Sequence, residues 1–355
     1  MTPRFHPLRI AEVRRETPEA VSLRFAVPPE LAHEFAFVQG QHITLKARID
    51  GADLRRSYSI CAGVDDGELC IAVKRVPGGV FSNWVNSEVK AGDVLDVLTP
   101  EGRFNTPLEA NQRKHYVAFA AGSGITPVLS LIKTTLARES ASRFTLIYGN
   151  RRQASVLFHE ELEDIKDRWL ARFVIYHLFS REQQELALFN GRLDGAKVRA
   201  FTDTLLPVDT IDEAFLCGPG GMIDEVEAAL QSCGLSAEHI HVERFGVPQA
   251  ETAHHVEAGD APHARITLVL DGVQREVEFH SSDPSILDAA LAAGIELPYS
   301  CRGGMCCTCR AKLLEGRVRM DKNYSLEKRD LDAGFVLTCQ AHPLTERVVV
   351  SYDER

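Results

Sequence analysis

Four cysteines near the C-terminal end of this sequence constrain its fold more than any other feature. Cys301, Cys306 and Cys309 read C-x4-C-x2-C, and Cys339 follows after a gap of 29 residues. Three ligands on so short a stretch require one tight loop around one face of a small inorganic centre. The fourth must arrive on a distant element to close the cage. This is the spacing that holds a [2Fe–2S] cluster. The glycines in Ser300-Cys301-Arg302-Gly303-Gly304-Met305-Cys306 let the backbone turn sharply, so that its N–H groups can point at sulfur. Cys307 directly follows a ligand. Cys306, however, is the residue that keeps both the four-residue gap to Cys301 and the two-residue gap to Cys309. Cys307 is therefore read as a non-ligand that packs or donates a weak S–H bond to sulfide. A one-electron carrier needs an electron source, and the rest of the chain is read for one.

At 355 residues, two or three domains are expected. Hydrophobic content of 45% and charged content of 25% describe an ordinary globular protein. No stretch approaches the roughly 20 apolar residues of a membrane span. The start, Met1-Thr2-Pro3-Arg4-Phe5-His6, has no long apolar run. A cytoplasmic location with no membrane partner is the expectation. A net charge of −10 argues against nucleic acid as a partner. The nine cysteines are not spaced as a secreted disulfide framework. Cys61, Cys70, Cys217, Cys233 and Cys307 are read as free thiols unless a site claims them.

Three segments separate by pattern. Residues 1–108 are strand-rich: Leu23, Phe25 and Val27 alternate with polar or small residues, as do Ile71 and Val73, and Asp66-Gly67 and Gly92-Asp93 mark turns. This predicts an antiparallel β-barrel or sandwich. Residues 109–245 alternate strand and helix. Tyr116–Ala120 ends in a glycine turn, a helix is expected over about 127–137, and strands follow at Phe144–Tyr148 and Ala214–Cys217. That order implies a doubly wound parallel α/β sheet. Residues 246–263, with Pro248, His254, His255, Gly259 and Pro262, read as a linker. In 264–355, Ile266, Leu268 and Leu270 alternate up to Asp271-Gly272, and Val273, Val277 and Phe279 continue beyond it. This predicts a hairpin, followed by a helix over Ser285–Ala293 that stops at Gly294.

The chemistry-bearing residues lie in this frame. Arg56-Ser57-Tyr58-Ser59 sits on an expected strand and offers a cation for phosphate, a flat aromatic and a donor near ring nitrogens, which are the needs of a flavin. Period two places Arg56 and Tyr58 on one face, Ser57 and Ser59 on the other. Gly78-Gly79-Val80-Phe81-Ser82 is expected to open a short helix whose free N–H groups can receive a pyrophosphate. Ala121-Gly122-Ser123-Gly124-Ile125-Thr126-Pro127 follows a strand and precedes a helix, the context a dinucleotide turn requires. Cys217-Gly218-Pro219 ends a later strand of the same sheet. Ligands of such sheets lie outside the carboxyl ends of the strands, so Cys217 and Thr126 are expected to face one pocket.

In order, Arg56-x-Tyr58-Ser59, Gly79-x-x-Ser82, Gly122-x-Gly124-x-x-Pro127 and Cys217-Gly218-Pro219 resemble the ferredoxin–NADP reductase superfamily, and the C-terminal segment resembles plant-type ferredoxin, an α+β β-grasp fold. The resemblance covers essentially the whole chain. It is strongest to the reductase components of phenylacetyl-CoA epoxidases, and those of ketosteroid 9α-hydroxylases and some aromatic-ring oxygenases share the order. It implies FAD in the barrel: Arg56 on its phosphate, Tyr58 packed on the ring, Ser59 near N5, Ser57 on the same strand, and Gly79, Val80, Phe81 and Ser82 at the pyrophosphate. It implies NAD(P)H at Gly122, Gly124 and Thr126, with Cys217 beside the hydride-donating carbon. Glu243 and Phe245 would complete the flavin face. Ser180-Arg181-Glu182-Gln183 looks like the superfamily's 2′-phosphate segment, and Arg151 and Arg152 could add charge, so NADPH is expected, with NADH as the alternative. The cluster ligands would be Cys301, Cys306, Cys309 and Cys339. The implied function is an oxidoreductase that draws electrons from NADPH through FAD and the cluster to a separate di-iron or other oxygenase. Two other classes compete with this reading, a zinc module using the same cysteines and a redox sensor. The companion flavin motifs argue against the first, and the lack of a basic stripe against the second.

Overall fold

The computed structural model describes residues 4–245, 257 and 259–354. Of the expected linker, residues 246–256 and 258, including Pro248, His254 and His255, lie outside the described residues. The chain divides into two compact units. One comprises residues 6–54 and 58–245, and the other residues 259–354 with short pieces at 4–5 and 55–57.

In the first unit, β1 (Phe5–Thr17), β2 (Ala20–Ala26), β3 (His42–Ile49), β4 (Ala52–Ser59), β5 (Leu69–Lys74) and β6 (Val94–Leu98) form a sheet in the order β4-β3-β6-β1-β2-β5. Pairing is antiparallel at β1–β2, β2–β5 and β3–β6, and the sheet curls as a half-barrel. Alternation works as expected: Leu23, Ile71 and Val73 are fully buried, and α1 (Val80–Ser87) drops Phe81 and Val85 into the same core.

The chain then alternates β7 (His115–Ala121), α2 (Ile125–Arg138), β8 (Arg143–Asn150), α3 (His159–Arg168), β9 (Phe173–Phe179), α4 (Gly195–Thr204), β10 (Glu213–Gly218), α5 (Gly220–Ser232) and β11 (Ile240–Arg244). The sheet order is β11-β10-β7-β8-β9, all parallel. Helices cover both faces, which is why the strands read as unbroken apolar runs. Tyr116, Ala118 and Ala120 join the core under α2 and α3, while Val117 and Phe119 join the core under α4 and α5. The chain runs outward from β7 to β9, then returns to lay β10 on the other side of β7. The switch point, where a crevice opens above the strand ends, therefore lies between β7 and β10.

Barrel and sheet share one core, since Ala20, Cys61, Ala72 and Phe104 belong to the cluster under α2. The loop after β4 is also bolted to α2. Arg138 makes two 2.8 Å bonds to the Asp65 carboxylate, Lys133 binds Asp66 and Glu161, and Val64 N–H donates to Thr134 Oγ1 at 3.1 Å.

The second unit holds β12 (His263–Leu270), β13 (Val273–His280), α6 (Ile286–Ala292), β14 (Arg310–Glu315), β15 (Val318–Met320), α7 (Lys328–Asp332), β16 (Phe335–Leu337), β17 (Ala341–Pro343) and β18 (Arg347–Ser351). The main sheet runs β13-β12-β18-β14-β16, with β12 and β18 parallel and the other neighbours antiparallel. Helix α6 packs Ile286, Leu287 and Ala290 into the core it covers, a β-grasp arrangement. The hairpin turns at Asp271 and Gly272, both left-handed with φ of 52° and 73°, as a two-residue I′ turn demands. Ser285 caps α6 by accepting from Asp288 N–H, so the helix is slightly shorter than the expected Ser285–Ala293.

Candidate active site

Strand β4 and helix α1 bring the two expected flavin motifs together. Tyr58 and Phe81 lie 6.0 Å apart between ring centroids, and Phe81 meets Trp84 edge-on at 5.7 Å. Gly79 is the N-cap of α1, with no side-chain cap and no acidic residue in the first turn. The backbone N–H groups of this turn therefore suit an anionic group. Val80 is half exposed. Ser82 is buried, and its hydroxyl accepts from Val76 N–H at 3.0 Å, fixing the loop that presents the turn. Arg56 is partly exposed, with one guanidinium nitrogen on the Arg55 carbonyl at 2.7 Å. Ser57 is half-buried.

Ser59, at the end of β4, is 3% exposed and donates to Glu243 Oε1 at 2.8 Å. Burial pushes the Glu243 carboxyl up to about 7, against the opposing effect of the Ser59 bond. Cys217 is fully buried, and its thiol is held well above the usual range by burial and by Glu243. Cys217 near the end of β10 pairs with Glu243 on β11, so a thiol, a carboxyl and the Ser59 hydroxyl gather at the carboxyl ends of these strands. Phe245, just past β11, is 37% exposed.

The dinucleotide turn is built by close backbone approach. A Cβ on Gly124 would lie 2.0 Å from the Cys217 carbonyl oxygen, so this position must be glycine. Gly122 has a left-handed φ of 56°, and its carbonyl accepts from Tyr148 Oη at 2.9 Å. Thr126 is buried and donates to the Ser123 carbonyl at 3.0 Å, which closes the turn. At the far edge, Ser180 N–H donates to the Asn150 carbonyl and Arg181 N–H to the Arg151 carbonyl, at 3.0 and 2.9 Å. The exposed Arg151 and Arg181 are thereby joined through their backbones, and the Glu182 carboxylate accepts from Gln153 N–H on the same loop at 3.0 Å.

Two residues here escaped the sequence reading. Lys74, at the end of β5, brings its Nζ to 3.7 Å from a Cβ position on Gly122, and burial lowers its pKa. Tyr148 is fully buried inside an apolar strand. The one available signal was a tyrosine where phenylalanine would pack as well, since a buried phenol needs a partner.

The four expected ligands converge in the second unit. Their thiols pair two and two: Cys301 with Cys306, and Cys309 with Cys339. The Cys301 thiol is pulled down to about 6 by its bond with Cys306, helped by the backbone N–H groups of Gly303 and Met305. Both of those groups donate to Cys301 Sγ at 3.3 Å. Thr308 is buried, with its hydroxyl beside the Cys306 thiol. Two thiol pairs suit two bridged irons, whereas zinc asks for one tetrahedron. Among the described residues no group of three or more His, Cys, Asp and Glu closes on a single-ion position. The Cys307 thiol donates to the Ser325 carbonyl at 3.4 Å.

Three family models match in chain order: an oxidoreductase FAD-binding domain over 7–106, an oxidoreductase NAD-binding domain over 119–228, and a 2Fe-2S iron-sulfur cluster binding domain over 268–344. A 1,2-phenylacetyl-CoA epoxidase subunit from Escherichia coli (strain K12) is 45% identical over 99% of this chain and 98% of its own length. The chain belongs to the ferredoxin–NADP reductase-type oxygenase reductases. Another relative of this kind, the ferredoxin reductase component of 3-ketosteroid-9-alpha-monooxygenase from Rhodococcus rhodochrous, is 34% identical over 97% of this chain and 96% of that protein. Phthalate dioxygenase reductase shares the fold over 98% of both chains, with a TM-score of 0.60 at 23% identity. As an oxygenase reductase the chain is an oxidoreductase that uses FAD, NAD(P)H and a [2Fe–2S] cluster and serves a separate oxygenase component. Among the described residues no helix is long and apolar enough to cross a membrane.

Proposed function

We propose that this reductase takes electrons from NADPH and supplies the di-iron oxygenase of a phenylacetyl-CoA epoxidase, in the cytoplasm. The observation that carries the partner is the 45% identity to a phenylacetyl-CoA epoxidase component across nearly the full length of both chains. Bound here, FAD would supply two-electron hydride chemistry and the [2Fe–2S] cluster one-electron transfer, and the protein's part is to hold and orient them. Arg56, Ser57, Tyr58 and the turn from Gly79 to Ser82 hold the flavin in this reading, with Phe245 at its face. Gly122, Gly124 and Thr126 seat the dinucleotide, and Lys74 adds a cation beside it. Ser59 and Cys217 border the reacting atoms, and Glu243 fixes the Ser59 hydroxyl. Cys301, Cys306, Cys309 and Cys339 hold the cluster. The barrel spans 1–108, the nucleotide domain 109–245, and the ferredoxin domain 264–355.

Ser180, Arg151 and Arg181 support NADPH over NADH. Arg151 and Arg181, exposed on neighbouring loops joined by a backbone hydrogen bond, would supply two guanidinium groups to a 2′-phosphate. An anaerobic titration with each nucleotide tests this. Flavin bleaching at much lower NADPH than NADH is expected, and Arg181→Ala should cut that preference about tenfold, roughly 1.4 kcal/mol. A wild type that favours NADH would overturn the 2′-phosphate reading. Reconstitution with the epoxidase oxygenase tests the partner. Reduced reductase that fails to support epoxidation there would send the search to another oxygenase.

A further inference from the structure

Cys307 serves none of the three sites, yet the cluster loop is folded around it. Its φ of 55° is left-handed, as is that of Arg302 at 53°. A side-chain-bearing residue keeps such a conformation where its surroundings over-determine it. Those surroundings are the segment 322–326. The Cys307 thiol donates to the Ser325 carbonyl at 3.4 Å. Ser325 Oγ donates to the Gly304 carbonyl at 3.1 Å, and Tyr324 N–H donates to the same oxygen at 3.0 Å. Asn323 Oδ1 stiffens the segment by accepting from Ser325 and Leu326 N–H at 3.2 and 2.8 Å. The approach is close: a Cβ on Gly304 would lie 2.9 Å from the Lys322 carbonyl oxygen. Gly304 is in turn the hinge between the two N–H groups, of Gly303 and Met305, that meet Cys301 Sγ at 3.3 Å.

We propose that Cys307 is a positioning residue for the [2Fe–2S] centre. Its thiol clamps the 322–326 segment onto Gly304 and so keeps the Gly303 and Met305 N–H groups aimed at Cys301 Sγ. N–H···S bonds favour the more negative, reduced cluster and raise its potential. Loosening the clamp lowers the potential. Ser325 is fastened at both ends of this clamp, through its carbonyl to the thiol and through its hydroxyl to Gly304, so the two residues act together. The inference rests on the cluster assignment and is independent of which oxygenase is served.

The test is a redox titration of the full-length protein followed by electron paramagnetic resonance, on wild type, Cys307→Ala, Cys307→Ser and Ser325→Ala. Cys307→Ala should shift the reduced-to-oxidised ratio at fixed potential about tenfold toward oxidised, a drop of about 59 mV for one electron. FAD content and flavin reduction by NADPH should not change. Cys307→Ser keeps a donor and should recover most of the shift, and Ser325→Ala should move the potential the same way by less. Equal potentials in all four proteins would overturn the proposal. So would equal shifts in Cys307→Ala and Cys307→Ser, because side-chain volume and not the donor would then be responsible. Should Cys307→Ala fail to hold a cluster, Ser325→Ala decides alone, and an unshifted potential there refutes the clamp. A wild type without a [2Fe–2S] signal would overturn the cluster assignment and the clamp together.

Discussion

Substituting alanine at Gly124 isolates one cause. With φ −62° and ψ −10°, Gly124 has a backbone conformation open to any residue, so no torsional strain enters. The obstacle is contact: an added Cβ lies 2.0 Å from the Cys217 carbonyl oxygen, 2.5 Å from its carbon and 2.9 Å from Gly218 N, against an ordinary contact of 3.4 Å or more. The atoms met are backbone and cannot rotate away. Gly124→Ala must therefore spread the turns after β7 and β10 by about 1.4 Å, the difference between those two distances. A misplacement of about 1 Å costs on the order of 100-fold in rate, or about 2.7 kcal/mol. Anaerobic stopped-flow reduction of the flavin by NADPH should show that loss, while FAD and cluster contents hold. Gly221→Ala is the control: it lies in the first turn of α5, where an added Cβ meets nothing within 4 Å, and its rate should stay within about threefold of wild type. A Gly124→Ala protein reduced as fast as the control would refute the argument that hydride entry depends on the contact between these turns.

Glu243 should make stability depend on pH. Its folded pKa of about 7 stands above the ordinary 4.5, so between those values the unfolded chain ionises while the folded one stays protonated. Stability attributable to this group is full below about pH 4.5 and falls by about 3 kcal/mol as pH rises to 7, at 1.36 kcal/mol per unit. Denaturant midpoints of wild type and Glu243→Gln should diverge by that amount between pH 4.5 and 8, and parallel curves would contradict it. Cys339→Ser should abolish the [2Fe–2S] resonance and leave flavin reduction by NADPH within about twofold, because the ligand lies outside the unit that holds the nucleotide turn. Tyr148→Phe leaves the Gly122 carbonyl without its 2.9 Å donor, at a cost of about 1–3 kcal/mol. The KM for NADPH should rise several-fold with kcat held, and a fall in kcat alone would show that the phenol acts elsewhere.

What was legible in the sequence is local chemistry. The nine residues from Cys301 to Cys309 carry their spacing in plain view, the Gly122–Gly124 turn sits where strand gives way to helix, and Asp271-Gly272 announces a hairpin through backbone preference alone. Each is a short-range device whose cause lies within a few residues of itself. The unread parts are meetings across long separations. Ser59 and Glu243 are 184 positions apart, and no periodicity ties them. Lys74 ends a barrel strand, and it is the fold that brings its Nζ beside the nucleotide turn. Cys307 reads as a non-ligand from the gaps, but its partner Ser325 lies 18 positions on, in a segment with no motif of its own.

The bolts between the 61–67 loop and α2 bear on how such chains can be recombined. Helix α2 has 14 residues, about 21 Å at 1.5 Å each. It starts at the nucleotide turn and ends at Arg138, which grips Asp65. It works as a strut that carries the barrel's position to the turn where nucleotide enters. A chimera that joins the barrel of one relative to the nucleotide domain of another at residue 108 would cut no strand, yet it would separate Asp65 and Asp66 from Arg138 and Lys133. The interchangeable cassette is therefore the barrel together with the strut. Graft success should follow the match between that loop and that helix more than overall sequence similarity.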